Sequence, residues 1–302
     1  MHPDFIRLGP LDIHTYGVLV AIGFMVGLAV AAWRARREKV DPDRITDMGA
    51  WLIVSGMLGG KLFHIIFFWN DFITAWHEQG VRSLREGFVF YGGFIVATLT
   101  AAAYTTVKKL PFFRVADIFA PSLALGHAFG RLGCFFNGCC YGKVCASDFP
   151  LGVRFPRILD ATGRLIGSMP FIDHLQRGLV NISATRSLAV HPTELYEVFG
   201  NLAIFAGLSA VYRHKRADGQ ILWLYVLSYG VLRFIVEFFR GDYETYFFGI
   251  FTLGHLMAMV MIVVASIALF RLRHQTDLRE ETAEIPRQAR DDKKAASGER
   301  KA

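Results

Sequence analysis

The chain has few charged residues and few cysteines for its length, and the first shortage restricts what kind of protein it is. Charged residues make up 20% of the 302 residues, whereas hydrophobic residues make up 53%, and the mean hydropathy is +0.35. This composition excludes an ordinary soluble domain and is typical of a membrane protein with several spans. The net charge of +7 then reflects the basic bias of cytoplasmic loops and does not indicate a nucleic-acid partner.

Other features are also missing from the sequence. Residues 1–12 lack a basic n-region, and the first apolar run, residues 13–33, is as long as a full span, so we expect no cleavable signal peptide. We find no convincing internal repeat. The sequence also shows no pair of broken helices, which argues against a secondary transporter.

Seven stretches of about 20 mostly apolar residues predict an all-α integral membrane protein with seven transmembrane helices. The predicted spans are residues 13–33, 48–69, 88–107, 115–136, 195–212, 221–239 and 251–270. Residues 141–193, between spans four and five, are the one sizeable extramembrane region and predict a small extracytoplasmic cap. We therefore expect a membrane domain at residues 1–270 and a charged tail at 271–302 that is mostly disordered or a short helix.

Basic residues concentrate in alternate connections of this seven-span arrangement. They are Arg34, Arg36, Arg37, Lys39, Arg44, Lys108, Lys109, Arg114, Arg213, Lys215, Arg216, Arg271 and Arg273. Because loops rich in lysine and arginine stay in the cytoplasm, the N-terminus is predicted to lie outside and the C-terminus in the cytoplasm.

The sixth predicted span carries a charged stripe. Arg233, Glu237 and Arg240 are spaced i, i+4 and i+7, which places them on one helix face. Glu237 can pair with either arginine and leave surplus positive charge for an anionic ligand. A structural salt bridge between helices is the alternative, but ionisable groups at membrane depth are usually functional.

The fourth predicted span carries His127 and, one turn later, Arg131. Arginine binds phosphate through two parallel charge-assisted hydrogen bonds. The anionic ligand that reaches such a depth in a membrane is a phospholipid. His127 alone is equally well explained as a packing histidine.

The segment His191-Pro-Thr-Glu-Leu-Tyr-Glu197 predicts a helix start. Pro192 interrupts the preceding chain, Thr193 is a candidate N-cap, and Glu194 falls in the favourable first turn. Helix initiation explains neither His191 nor Glu197, so we expect these two residues to order polar groups at the outer surface.

Small residues mark two helix contacts. Gly23 and Gly27 match the small-xxx-small pattern of helix packing. Gly92 and Gly93 open the third span and allow close approach. Tyr91, just before them, is either an interface anchor or a group that binds a headgroup or relays a proton.

All four cysteines fall within one short segment, as Cys134-x4-Cys139-Cys140-x4-Cys145. The segment lacks the two CxxC pairs typical of a zinc site, so no metal site is predicted. An even number of cysteines on the oxidising outer face permits one or two disulfides. Disulfides or inert buried thiols are favoured, and catalytic thiol exchange remains open.

Taken together, these motifs resemble the prolipoprotein diacylglyceryl transferase family over about residues 13–270. The family signature G-R-x-G-N-F-x-N-x-E-x-x-G corresponds to residues 130–142, Gly-Arg-Leu-Gly-Cys-Phe-Phe-Asn-Gly-Cys-Cys-Tyr-Gly. The H-P-T-x-L-Y-E motif corresponds to residues 191–197. The remaining family positions are Tyr16-Gly17, Tyr229-Gly230, Arg233-Phe234, Glu237-Phe238 and Arg240.

This resemblance implies a bacterial inner-membrane enzyme that moves the diacylglyceryl group of phosphatidylglycerol to the lipobox cysteine of a preprolipoprotein. From the charges and spacings above, read with this resemblance, we expect catalytic roles for Arg131, Arg233, Glu237, His127 and Tyr91. We expect substrate-binding roles for Arg131, Arg240, Tyr16, Asn137, His191 and Glu197. The partners are then phosphatidylglycerol, the lipobox segment and membrane lipid. No cofactor or metal is expected, because phosphate is a competent leaving group once its charge is matched.

The sequence departs from the family at several motif positions. Cys134 and Cys139 replace the signature asparagine and glutamate, and Tyr91 stands where the family often has a histidine regarded as a candidate base. Lys61 and His255 replace a usual arginine and a common glutamine. Two alternatives therefore stay open: a membrane thiol-disulfide oxidoreductase that uses the four cysteines, and a non-catalytic phospholipid-binding paralogue.

Overall fold

Helices dominate the computed structural model, which describes residues 4–8, 11–85, 87–159, 163, 165–242, 247 and 249–298. The elements in chain order are β1 (Asp4–Leu8), β2 (Leu11–His14), α1 (Thr15–Arg37), α2 (Pro42–Phe67), α3 (Trp69–Gln79), α4 (Phe90–Val107), α5 (Phe112–Asn137), β3 (Ile158–Leu159), β4 (Leu165–Gly167), α6 (Met169–Gln176), α7 (Thr193–Val211), α8 (Gln220–Glu237) and α9 (Leu253–Gly298). The strands form two antiparallel hairpins, β1 with β2 and β3 with β4. Short 3-10 helices, Gly80–Arg85 and Tyr212–His214, extend α3 and α7.

Six helices of the described chain are long and apolar enough to cross a membrane. They are α1, α2, α4, α7 with its 3-10 extension, α8, and the part of α9 at Leu253–Thr276. These six match every predicted span except the fourth, which lies within α5. At 26 residues and about 1.5 Å per residue, α5 is roughly 39 Å long, which is enough to cross a bilayer. It contains the ionisable residues Asp117, His127 and Arg131, and it is not among the six apolar helices.

The chain divides into two units. One comprises Phe24–Ser122, and the other comprises Met1–Gly23 with Leu123–Ala302. The first unit has a core of small and aliphatic side chains from α1, α2 and α5, namely Ala31, Ala35, Ile45, Met48, Val115 and Ile118. In the second unit α7, α8 and α9 pack in sequence, with Gly200 against Leu232 and Gly230 against Met261. Gly23 packs against Phe129 on α5, as expected of a helix contact.

Glycines hold α2 and α4 close together in the first unit. A Cβ added at Gly59 would lie 2.8 Å from the carbonyl oxygen of Gly92, and one added at Gly93 would lie 2.8 Å from that of Gly56. Such distances leave no room for a methyl group between the two backbones. The close approach predicted for Gly92 and Gly93 is therefore confirmed, with α2 as the partner helix.

Gly59→Ala is expected to destabilise the first unit. The new Cβ would lie 2.6 Å from the Cβ of Val96, so the helices must separate, and overpacking of this kind lowers the free energy of unfolding by about 1–3 kcal/mol. Gly56→Ala is the matched control, because its Cβ would be 3.8 Å from its nearest neighbours. Thermal unfolding in detergent measures both, and an unchanged Tm in Gly59→Ala would contradict the packing.

The segment between α5 and α7 folds around a small apolar core. Tyr141, Phe155 and Val190 are buried there, and Phe135 from α5 and Val153 pack against them. The helix α6 adds Phe171 and His174, both buried. His174 accepts a hydrogen bond at Nδ1 from the backbone N–H of Leu188 at 3.2 Å, which links α6 to the chain that leads into α7.

Acid is expected to destabilise this segment through His174. Burial lowers the pKa of His174, which is 2% exposed, while the charges of Asp173 and Arg177 act in opposite directions. The unfolded chain then binds the proton more readily, so stability present above the ordinary pKa of about 6.5 is lost as the pH falls below it. His174→Gln should flatten the fall in Tm between about pH 7.5 and 5.5. Replacement of the exposed His214 is the control, and an equal fall in all three proteins would contradict the assignment.

Three parts of the fold differ from the sequence expectations or extend them. The connection between the second and third predicted spans contains the helix α3, which was not predicted from the sequence. The helix α9 continues to Gly298, into the tail for which disorder or a short helix was expected. The strands Asp4–Leu8 and Leu11–His14 pair as the β1–β2 hairpin, which was not predicted.

Candidate active site

Glu197 is the centre of the polar cluster in the second unit. It lies on the second turn of α7, and its side chain is fully buried. Its Oε2 atom is 2.9 Å from Nε of Arg131, and its Oε1 atom accepts a hydrogen bond from Nη1 of Arg233 at 3.0 Å. The third guanidinium, that of Arg240, lies 4.0 Å from the same Oε1 atom. Three arginines from different parts of the chain therefore converge on one carboxylate.

Arg233 bridges two acidic residues. Besides its bond to Glu197, its Nη2 atom lies 2.7 Å from Oε2 of Glu237, one turn further along α8. The predicted i, i+4 pairing on the charged stripe is thus present. Glu237 in turn accepts a hydrogen bond from the hydroxyl of Thr252, whose backbone N–H donates to Nδ1 of the buried His255 at 3.1 Å. The start of α9 therefore fixes the carboxylate that orients Arg233.

Arg240 follows α8 and forms a forked ion pair. Its Nε and Nη2 atoms donate to the two carboxylate oxygens of Asp242 at 2.8 Å and 2.6 Å. Burial raises the pKa of Asp242, although the charge of Arg240 opposes that shift. The two-point geometry fixes the guanidinium plane, which is the geometry arginine also uses for phosphate. The sequence analysis assigned Asp242 no role.

His127 and Tyr229 complete the cluster on the side of α5. Nε2 of His127 lies 3.8 Å from Oε2 of Glu197, and its ring centroid lies 4.7 Å from that of Tyr229. The phenol of Tyr229 also interacts with Arg131 and Glu197. His127 and Arg131 therefore share a face, as predicted. Tyr229 was missed as a site residue, although its position one turn before Arg233 was a usable signal.

Three cysteines lie together beside this cluster. The sulfur atoms of Cys134, Cys139 and Cys140 are all within 4.8 Å of one another, and all four cysteines of the chain are free thiols. The end of α5 explains the grouping. The N–H groups of Gly138 and Cys139 both donate to the carbonyl of Cys134, at 2.9 Å and 3.2 Å, so the chain folds back over the last turn. Cys140 has a left-handed backbone with φ +65, a conformation costing roughly 1–2 kcal/mol for such a residue.

The residues after the cysteines are held against α7 and α8. The hydroxyl of Thr193 donates to the carbonyl of Cys140 at 2.8 Å, and the N–H of Gly142 donates to the carbonyl of His191 at 3.0 Å. Gly142 is required here, because a Cβ would lie 2.7 Å from the carbonyl oxygen of Phe239. The prediction that Thr193 is an N-cap is wrong, since α7 begins at Thr193 after Pro192 and the hydroxyl binds the cysteine segment instead. Glu194 does lie in the first turn of α7.

Tyr16 and Asn137 lie beside the three thiols. Tyr16, near the start of α1, packs close to Gly133, where a Cβ would be 2.9 Å from its ring. Its phenol interacts electrostatically with the three thiols and with Arg131. The side chain of Asn137 interacts with the thiol of Cys139. Tyr16 is therefore near Arg131, and Asn137 is near the thiol group.

His191 packs within a group of aromatic side chains. Its Nδ1 atom is 3.1 Å from the hydroxyl of Tyr196, and its ring packs against Phe149 and Phe239 at centroid distances of 5.0 Å and 5.1 Å. Burial lowers the pKa of this histidine. The backbone of His191 supports the cysteine segment, and its ring is part of this aromatic group.

Tyr91 belongs to the first unit, at the start of α4. Its side chain is 52% exposed, and its ring packs edge-on against Phe90 at 6.0 Å. Every other predicted site residue lies in the second unit.

Glu194 is a buried acidic residue whose side chain the sequence analysis explained only by its place in the first turn of α7. It is 1% exposed, and neither carboxylate oxygen accepts a hydrogen bond from another described residue. The carboxylate interacts electrostatically with the thiol of Cys140 and with Arg240 and Arg131. Its position one residue after Thr193, which binds Cys140, was not readable as a contact from the sequence.

Comparisons with known proteins agree with the arrangement of these motifs. The sequence model of the family described as prolipoprotein diacylglyceryl transferase matches residues 3–271. The phosphatidylglycerol--prolipoprotein diacylglyceryl transferase of Clostridium tetani is 32% identical over 242 residues, covering 80% of this chain and 86% of the relative. The enzymes of the same name from Thermosynechococcus vestitus and Corynebacterium diphtheriae are 29% and 30% identical, over 89% and 88% of this chain and 92% and 91% of theirs. The chain therefore belongs to the prolipoprotein diacylglyceryl transferase family.

Proposed function

We propose that this protein transfers the diacylglyceryl group of phosphatidylglycerol to the lipobox cysteine of a preprolipoprotein. The carbon–oxygen bond to the phosphate breaks, a thioether forms, and glycerol phosphate leaves. The observation that carries the proposal is the convergence of Arg131, Arg233 and Arg240 on Glu197. The names of the relatives give the same donor and the same class of acceptor.

The three arginines provide the phosphate site. Each guanidinium has five N–H donors, so it can hold a carboxylate and a phosphate oxygen at the same time. Glu197, Glu237 and Asp242 fix the orientation of these groups before a lipid arrives. Preorganised cations in a water-poor site stabilise the charge that develops on a leaving phosphate, and such groups are the largest contributors to many reactions.

The nucleophile belongs to the protein substrate. A free thiol has a pKa of about 8.5 and needs help to react as a thiolate at neutral pH. Tyr229 and His127 border the arginine cluster, and Tyr16 and Asn137 border the cysteines, so these four side chains are placed to position an acceptor thiol.

The membrane arrangement is part of the same proposal. We place α5 as the fourth of seven spans, since its length suffices and its polar face carries the site. The domain boundaries follow the sequence: a membrane domain at residues 1–270, an extracytoplasmic cap at 141–193 and a cytoplasmic tail at 271–302. Basic loops support an external N-terminus and a cytoplasmic C-terminus in the bacterial inner membrane.

The two alternatives explain less of the structure. A thiol-disulfide oxidoreductase would use the cysteines but leaves the three largely buried arginines without a role. A non-catalytic paralogue would bind the lipid without forming a product.

A lipidation assay tests the function. Purified protein in detergent is mixed with phosphatidylglycerol and a lipobox peptide, and the peptide mass is read by mass spectrometry. We expect a diacylglyceryl adduct on the cysteine peptide and none on a peptide with serine at that position. Folded protein that binds phosphatidylglycerol but yields no adduct would favour the lipid-binding paralogue. Reduction of a model disulfide without lipidation would favour the oxidoreductase.

A further inference from the structure

Three thiols occupy a position that the phosphate chemistry does not use. Cys134, Cys139 and Cys140 are partly buried, and their sulfurs lie within 4.8 Å of one another. Zinc binds cysteine sulfur at about 2.3 Å, which places the sulfurs of one site about 4 Å apart. The grouping in this structure is therefore within reach of a single zinc ion, and thiolates are the ligands that soft and borderline metals prefer.

Hydrogen bonds fix the backbone that carries the three thiols. Cys134 sits in the last turn of α5, and its carbonyl holds the N–H of Cys139. Thr193 holds the carbonyl of Cys140. Three ligands leave one position of a tetrahedral zinc site without a ligand from this group.

We infer that Cys134, Cys139 and Cys140 bind a zinc ion whose open fourth position coordinates the sulfur of the lipobox cysteine. The inference rests on the proposed function and names the group that prepares the acceptor thiol. Zinc sites with three protein ligands and one open position are the catalytic type. A thiol that coordinates such a metal loses its proton and becomes a bound thiolate.

Two arginines next to the thiols favour this complex, whereas the carboxylate of Glu194 beside Cys140 opposes it. Zinc with three thiolates carries one negative charge, and a fourth thiolate adds another. Arg131 and Arg240 both interact electrostatically with Cys140, and Arg131 also interacts with Cys134. The guanidiniums that stabilise the zinc thiolate are the same groups that are proposed to hold the phosphate. The zinc-bound sulfur would then lie next to the glyceryl carbon that it attacks.

The reaction balances without an oxidant or reductant. The lipobox thiol coordinates zinc and releases its proton to water. The zinc-bound sulfur donates an electron pair to the glyceryl carbon, a carbon–sulfur bond forms, and the carbon–oxygen bond to phosphate breaks. The leaving oxygen keeps the electron pair of the broken carbon–oxygen bond, so glycerol phosphate departs with one more negative charge than the lipid phosphate had. The neutral thioether is a weak ligand and leaves the zinc.

Metal binding is tested first, independently of transfer. Purified full-length protein is reduced, stripped with a chelator and titrated with zinc or with cobalt, whose visible spectrum reports tetrahedral sulfur coordination. We expect one equivalent of metal per chain. Cys134→Ser, Cys139→Ser and Cys140→Ser should each weaken binding by roughly 10–100-fold or more, since losing even an outer partner of a metal ligand has that effect. Cys145→Ser is the matched control and should bind normally, because Cys145 lies outside the group.

Binding of the acceptor thiol is tested next. Without phosphatidylglycerol, a lipobox cysteine peptide should change the spectrum of the cobalt protein, and the serine peptide should not. A three-coordinate copper(I) site that excludes the peptide, or a disulfide between two of the three cysteines with no metal binding after reduction, would overturn the inference. Serine variants that fail to fold are replaced in the comparison by wild-type protein stripped of metal.

Transfer separates this inference from the proposed function. We expect stripped protein to lose the diacylglyceryl adduct and to regain it when zinc is restored. Full transfer by protein shown to hold no metal would remove the zinc site from the mechanism and leave the transferase intact. Peptide coordination at the metal without an adduct under any condition would retain the zinc site and reject the transferase.

Discussion

Replacing Arg131 by alanine is expected to lower diacylglyceryl transfer by roughly 10²–10³-fold, the loss typical of removing one group that stabilises a developing oxyanion. Arg131 contacts the buried Glu197 at 2.9 Å, and its own side chain is only 15% exposed. Its charge therefore acts in a water-poor site, where it stabilises the leaving phosphate more than an exposed arginine would. Mass spectrometry of the lipobox peptide measures the loss.

Two further variants separate charge from geometry. Arg131→Lys keeps the positive charge but loses the planar fork, so its activity should fall between those of wild type and Arg131→Ala. Arg177→Ala is the control, because Arg177 pairs with Asp173 on the exposed side of α6 and such pairs contribute little. Near-normal lipidation by Arg131→Ala, in protein with an unchanged Tm, would reject the arginine cluster as the phosphate site.

The periodic parts of the fold were predictable from the sequence. Apolar runs predicted the helices α1, α2, α4, α7, α8 and α9, because about 20 consecutive apolar residues are what a helix needs to cross the hydrocarbon core. The helix α3 escaped detection since it is only 11 residues long and mixes Trp69, Phe72 and Trp76 with polar residues. Short amphipathic helices give no signal in a search for apolar runs.

The site was predictable where it depends on local spacing. Arg233 and Glu237 pair at i, i+4, and His127 and Arg131 share a face, as the sequence indicated. The central role of Glu197 was not predictable, because it depends on how α5, α7 and α8 meet. No spacing rule relates residues 131, 197 and 233.

The grouping of the three thiols was also not predictable from the spacing of the cysteines. Their spacing lacks the CxxC pairs from which zinc sites are recognised in sequences. The structure brings the i+5 and i+6 residues back over Cys134 because Gly138 and Cys140 both take left-handed conformations after α5. A cysteine in that conformation gives no sequence signal, whereas a glycine does. The grouping of the thiols therefore becomes visible only when the backbone conformation is known.

Glu197→Ala is expected to cause the largest loss of stability among the substitutions considered. The carboxylate is fully buried and pairs with both Arg131 and Arg233. Its removal leaves two guanidiniums in a poorly solvated site without their shared partner, and breaking a buried ion pair on one side lowers the free energy of unfolding by about 3–5 kcal/mol. The free energy of unfolding of Glu197→Gln should lie between those of wild type and Glu197→Ala, since the amide keeps one acceptor oxygen but loses the charge.

Denaturation in detergent, followed with and without phosphatidylglycerol, measures this effect. Because a phosphate can take the place of the lost carboxylate between the arginines, the anionic lipid should raise the Tm of Glu197→Ala more than that of wild type, and phosphatidylethanolamine should do so less. The exposed Glu78 on α3 provides the control, and its replacement by alanine should change stability by no more than about 0.5 kcal/mol. If Glu197→Ala unfolds like wild type, its carboxylate does not hold the arginines together. If it is destabilised but phosphatidylglycerol does not stabilise it selectively, the cluster is a structural ion-pair network and the phosphate must bind elsewhere.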